Sequence, residues 1–172
     1  TWQRLSGMTL PPSALEQLQR DYVEGATALW NQTLQSTSTE APPIADRRFA
    51  AKDWSGNPAA AYTAQMYLLN ARTLMGMAEA VQGDAKTKAR LRFAVQQWVD
   101  AVAPSNFLAL NPEAQQLALK TKGQSLAAGM QHLLDDAGKG HVSQTDESAF
   151  EVGRNVAATE GAVVFENDLF QL

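Results

Sequence analysis

Two asparagine-proline pairs, Asn57-Pro58 and Asn111-Pro112, set the starts of helices in this chain more firmly than any other feature of its sequence. An asparagine side chain accepts a hydrogen bond from a free backbone amide at a helix start, and a proline at the first helical position forfeits no bond. Behind Asn57, the residues Tyr62, Met66, Leu69, Thr73 and Met77 recur at helical spacing up to a stop at Gly83. Asp84 caps the next helix, whose buried face is expected to be Leu91, Val95, Trp98, Val99 and Val102, ending before Pro104. So short a connection predicts an antiparallel helical hairpin. Asn111 opens a shorter helix to about Lys120 that Gly123 ends. A further helix is expected over 125–136, with Leu126, Met130, Leu133 and Leu134 inward and Gly138 and Gly140 past its end.

Upstream, Ser13 with Glu16 three residues later forms a capping-box pattern. Leu15, Leu18, Tyr22, Ala26 and Leu29 then share one face of an amphipathic helix over 14–34. Between 35 and 53 this pattern dissolves into Ser36-Thr37-Ser38-Thr39, Pro42-Pro43 and Asp46-Arg47-Arg48-Phe49, a linker or wrapped arm. After Thr145, Ala162-Val163-Val164-Phe165 and Leu169-Phe170-Gln171-Leu172, joined by Asn167-Asp168, read as β-prone runs and a turn. The expected fold class is mainly α, a bundle-like helical domain with a short β-prone C-terminal segment. The start at Thr1 rather than Met, and the stop at Leu172 within an apolar alternation, read as a fragment of a longer protein.

Composition narrows the functions. The 172 residues carry a net charge of −4, with acids and bases interspersed, so no basic stripe exists to neutralise phosphates and nucleic acid is not an expected partner. No apolar run approaches the roughly 20 residues of a membrane span, and no signal-peptide order opens the chain. Cysteine is absent, which removes disulfides, thiolate metal sites and thiol nucleophiles and fits a reducing, cytoplasmic setting. His132 and His141, the only histidines, have no metal-ligand spacing and read as surface or helix-end residues. Lys86, Lys88, Arg90 and Arg92 spread over two faces of their helix, and Asp146, Glu147, Glu151 and Glu160 lack an accompanying nucleophile, so capping and ion pairing with Arg154 account for them.

From Asp46 onward a family likeness emerges. Asp46-Arg47-Arg48-Phe49, Trp54, Tyr67-Leu68-Leu69-Asn70-Ala71-Arg72, Arg90-Leu91-Arg92-Phe93 and Gln97-Trp98-Val99-Asp100-Ala101 keep a characteristic order. Pro104-Ser105-Asn106-Phe107-Leu108, Asn111-Pro112-Glu113-Ala114-Gln115 and the stretch 145–155 extend it. Together they resemble the N-terminal region of class I poly(3-hydroxyalkanoate) synthases, over about three quarters of the chain. The resemblance implies a variable leader over 1–45, a helical synthase domain over 46–160, and at 161–172 the start of an α/β-hydrolase domain that is otherwise missing. It implies a parent enzyme that polymerises (R)-3-hydroxyacyl coenzyme A into polyester through a cysteine nucleophile with aspartate and histidine. This chain has no cysteine and no G-x-S-x-G or G-x-C-x-G elbow.

The expected role is therefore non-catalytic, with no catalytic, metal or cofactor-binding residues. It would support dimerisation of the parent, contact with the synthase's own catalytic domain, binding of granule-associated proteins and attachment at the cytoplasmic polyester granule surface. A free-standing phasin-like coat protein is the alternative. Interaction candidates are Trp30, Asp46, Arg47, Arg48, Phe49, Trp54 and Arg154. The 46–49 group is read as an arm pinned by Phe49 and by arginine bonds to helix carbonyls, or as a docking element. Trp30 and Trp54 are expected at exposed contacts and Trp98 in the core.

Overall fold

A computed structural model describes residues 7–35 and 43–172, except the side chain of Glu147. The expectations for Ser36-Thr37-Ser38-Thr39, Pro42 and the Glu147 carboxylate lie outside the described residues. Within them the fold is mainly α. The helices are α1 (Pro12–Gln35), α2 (Lys52–Ser55), α3 (Pro58–Ala80), α4 (Ala85–Ala101), α5 (Pro112–Lys120) and α6 (Gln124–Lys139). No strand forms among the described residues, only isolated bridges.

Helix starts follow local chemistry. Asn57 accepts from the amides of Ala59 and Ala60, both at 3.1 Å, and Asn111 from that of Ala114 at 3.1 Å. Asp84 accepts from the Thr87 amide at 3.0 Å. Each takes a donor that the helix leaves unpaired. At α1 the outcome differs: Pro12 itself is the first helical residue, so Ser13 falls inside the first turn and makes no cap. α5 ends where Gly123, at φ +85°, donates its amide back to Ala118 at 2.8 Å, a left-handed turn that glycine adopts without steric cost. α6 runs three residues beyond its expected end, enclosing Gly138, and stops at Gly140, whose φ is +76°.

The chain divides into two compact units near Ser125. In the first, α3 is the central helix. Its hairpin with α4 is antiparallel, as Glu79 with Arg92 and Tyr67 with Val99 show. α1 also lies antiparallel on α3, for Gly25 faces Leu69 and Gly76 faces Leu18. Thr9 and Gln82 exchange backbone bonds of 3.0 and 2.8 Å, closing that pair at one end. The core beneath comprises Phe49, Trp54, Ala60, Ala64, Tyr67, Val99 and Ala103. Small alanines on α3 leave room for the two aromatic rings brought in by the preceding arm.

The α1 and α3 contact is a reciprocal notch: each helix offers a glycine to the other's leucine. A Cβ on Gly25 would lie 2.9 Å from Leu69 Cδ1, and one on Gly76 would lie 2.7 Å from Leu18 Cδ2. Leu18 is only half-buried and can swing away, whereas Leu69 is 7% exposed and has nowhere to go. Alanine gains about 1 kcal/mol of helix propensity over glycine, while overpacking costs about 1–3 kcal/mol. Gly25→Ala is therefore expected to destabilise the chain and Gly76→Ala to be near neutral in thermal denaturation. The reverse order would contradict this packing.

The second unit contains α6 and the segment after it. Leu126, Met130, Leu133 and Leu134, expected inward, are 46, 58, 62 and 60% exposed. Their spacing does make a single stripe, but nothing described within the second unit covers it. Beyond Gly140, Asn167 caps a tight turn by accepting from the amides of Leu169 and Phe170, both at 2.9 Å. That turn brings Val164 to the Leu172 carbonyl at 2.8 Å. The turn residues act as their composition suggests, but the β-prone runs make only isolated bridges and no strand.

Candidate functional site

The arm preceding α2 is held by one arginine. Asp46 caps a 3₁₀ turn (Arg47–Phe49) by accepting from the Arg48 amide at 2.9 Å. The Arg48 guanidinium grips the same carboxylate with two bonds, Nε to Oδ1 at 3.0 Å and Nη2 to Oδ2 at 2.9 Å. Its Nη1 reaches across to the Tyr67 hydroxyl of α3 at 2.8 Å and the Asp100 carboxylate of α4 at 3.1 Å. Tyr67 in turn donates to the Val99 carbonyl at 2.8 Å. The expected bonds to helix carbonyls are not direct. They run through the tyrosine, because the planar guanidinium fork fits two carboxylates and a hydroxyl better than scattered carbonyls.

Electrostatics match that geometry. The Arg48 side-chain bond holds the Asp46 carboxyl below its ordinary range despite partial burial, and the Asp46 bond raises the Arg48 pKa further above its ordinary value. Desolvation pushes the Tyr67 phenol upward, opposed by the neighbouring arginine. The cation also lies 5.2 Å from the Tyr67 ring centroid and 5.7 Å from that of Phe49. Below it, Phe49 meets Trp54 edge-on at 4.8 Å and Tyr67 at 5.7 Å.

The seven candidate residues thus separate. Asp46, Arg48, Phe49 and Trp54 converge on one knot with Tyr67 and Asp100, two residues that the sequence reading did not single out as site residues. Arg47, their neighbour, is exposed. Trp54 reverses its expectation of exposure: it is 0% exposed. It sits in a four-residue helix, too short for a periodic stripe to mark its inward face, and burial arises only when the arm folds back. Trp98 reverses in the opposite sense, being 57% exposed, because α4 presents Val99 to α3 and turns its neighbour outward. Trp30 is 55% exposed, edge-on to Tyr62 at 6.4 Å. Arg154 pairs with Glu151 at 3.1 Å on the surface of the second unit.

Between α1 and α4, on one side of α3, runs an open trough of about 730 Å³ walled by Tyr22, Tyr62, Met66, Leu74, Trp98 and Val102. Among the described residues, no charged one lines it. Elsewhere, Arg92 pairs with Glu79 at 3.4 Å, and Asp146 accepts from the Ser148 amide and hydroxyl at 3.1 and 2.6 Å. His132 and His141 are both exposed. Among the described residues, no cluster of histidine and acid side chains is disposed to hold a metal, and no helix is long and apolar enough to cross a membrane.

Comparison with known proteins connects this architecture to a family. Residues 45–172 match the family model described as Poly-beta-hydroxybutyrate polymerase (PhaC) N-terminus. The chain is similar to the poly(3-hydroxyalkanoate) polymerase subunit PhaC of Cupriavidus necator, at 51% identity over 168 residues, covering 98% of this chain and 28% of that protein. It is 42% identical to the poly(3-hydroxyalkanoate) polymerase of Methylorubrum extorquens, covering 94% of the chain and 28% of the relative. The PhaC subunit of Rhizobium meliloti is 34% identical, with 84% and 25% covered. The chain thus spans about a quarter of the length of these curated relatives. No solved structure matches it. With most of its length inside the matched region, the chain belongs to the family of PhaC polymerase N-termini.

Proposed function

We propose that this chain is the non-catalytic assembly domain of a poly(3-hydroxyalkanoate) polymerase. The parent enzyme polymerises (R)-3-hydroxyacyl coenzyme A with release of coenzyme A, and its thioester chemistry resides in an α/β-hydrolase domain whose approach begins at 161–172. The helical domain supports dimerisation of the parent, contact with the catalytic domain and granule-associated proteins, and retention at the cytoplasmic polyester granule. The observation that carries this reading is the α6 stripe of Leu126, Met130, Leu133 and Leu134, all about half-exposed on one helix face. Such a stripe is costly in water and favourable only when something apolar covers it. The lack of any cysteine supports the division of labour, since a thiolate nucleophile must come from elsewhere. The coat-protein alternative predicts coiled-coil regularity and no β-prone tail, and the turn-rich segment 145–172 counts against it.

The test uses full-length polymerase carrying Met130→Glu, Leu133→Glu and Leu134→Glu together. These positions are exposed, so the helix is expected to persist. Sedimentation and granule fractionation should show fewer dimers, less granule-bound enzyme, or both. A variant that dimerises and stays on granules like the wild type would sink the proposal.

A further inference from the structure

Resting on that reading, we propose that the trough between α1 and α4 is a binding track for a neutral aliphatic polyester chain. Three observations converge on that ligand chemistry. First, no charged residue lines it among the described residues although the chain is acidic overall, so neither an anionic nor a cationic ligand is favoured. Second, the lining offers hydrogen-bond donors that no described residue engages. Tyr67 has committed its hydroxyl to Arg48 and Val99, and Thr63 and Thr73 donate to the helix carbonyls of Ala59 and Leu69 at 2.8 and 3.0 Å. The Tyr22 and Tyr62 hydroxyls and the Asn70 amide line the trough and make no side-chain hydrogen bond among the described residues, each being able to donate as well as accept. An aliphatic polyester complements this arrangement: its ester oxygens only accept, and the carbon backbone between them is apolar. Third, shape favours a slender occupant. The trough is concave and of the size that holds small ligands, about 300–1,000 Å³, and two concave faces of identical copies would leave an unfilled void between them.

The experiment titrates the purified chain with end-capped, uncharged oligomers of 3-hydroxybutyrate and follows the tryptophan emission, to which Trp98 at the border of the trough contributes. A saturated hydrocarbon of similar girth serves as the apolar probe without hydrogen-bond acceptors. Saturable binding of the oligoester is expected. Tyr22→Phe with Tyr62→Phe keeps the rings and removes two donors, so it should weaken oligoester binding by roughly tenfold or more while leaving the hydrocarbon unaffected and helicity intact. Asn70→Asp, at an exposed position, should weaken it as well. The proposal is overturned if the wild type does not bind, if the double variant binds the oligoester equally well, or if the Asn70 variant instead converts a dimeric chain to monomers, which would make the trough a self-interface. The trough variants also separate this claim from the broader one. Granule retention lost in the α6 variant but kept in the trough variants refutes only the track, whereas indifference to both sets refutes the assembly role too.

Discussion

Trp54→Ala is expected to lower stability by about 3–5 kcal/mol, the usual cost of emptying a large aromatic site, and to reduce the melting temperature of the chain by roughly 10 °C. The indole is fully buried and stacks edge-on against Phe49, which is itself 1% exposed. Removing it leaves a void bounded by Phe49 and the α3 alanines, none of which has volume to fill it. Trp54→Phe should cost distinctly less. Its indole Nε1 is buried without a hydrogen-bond partner among the described residues, so the exchange removes a desolvated donor along with some packing. Urea or thermal unfolding of both variants checks the ranking. If the alanine variant melted like the wild type, the arm would not be part of the cooperative unit.

Arg48→Leu should cost about 2 kcal/mol, on the scale of charge-assisted hydrogen bonds lost at a partly buried site. The side chain is 30% exposed and its Asp46 partner 24%, which tempers the figure relative to a sealed ion pair. Arg48→Lys is expected to recover little of the loss, since an ammonium cannot grip the Asp46 carboxylate with two parallel bonds while also reaching Tyr67 and Asp100. The same knot dictates a pH signature. Because Arg48 depresses the Asp46 pKa in the folded chain, this contribution is fully present above the unfolded aspartate value of about 3.9. It is lost as pH falls through the lower folded value. Wild type should therefore lose part of its advantage over Arg48→Leu between neutral pH and about pH 3. An equal stability gap at both would mean that the pair contributes nothing. A double-mutant cycle with Asp46→Asn isolates the pairwise share.

These two sites show what could be read in advance. Caps are local: the asparagine at 57 or 111 and the aspartate at 84 bond to amides two or three residues away, so residue type and spacing suffice to place the helix. The hairpin of α3 and α4 follows from their short connection. The likeness to synthase N-termini likewise survives comparison, because residue order along the chain is all that such likeness uses. Ser13 departs from the pattern because Pro12, acceptable as a first helical residue, takes the helix start for itself.

Burial was less legible. Periodicity tells which residues share a face but not whether a partner covers that face. The α6 leucines and methionine form the expected stripe yet lie open, while Trp98 misses the core by a single position of helical rotation. Nor does periodicity exist in a segment as short as α2, so Trp54 carried no mark of its place. The trough is a property of three helices at once, and no window of sequence contains it.

Helix identity and boundaries in this protein come from interactions spanning a few residues, which sequence encodes directly. The placement of α1 on α3, the Arg48 knot that joins residues 46, 67 and 100, and the choice of which apolar surface is covered were decided only in three dimensions. Their partners are far apart in the chain, and the free energy of bringing them together depends on shape and desolvation rather than on neighbouring residue type.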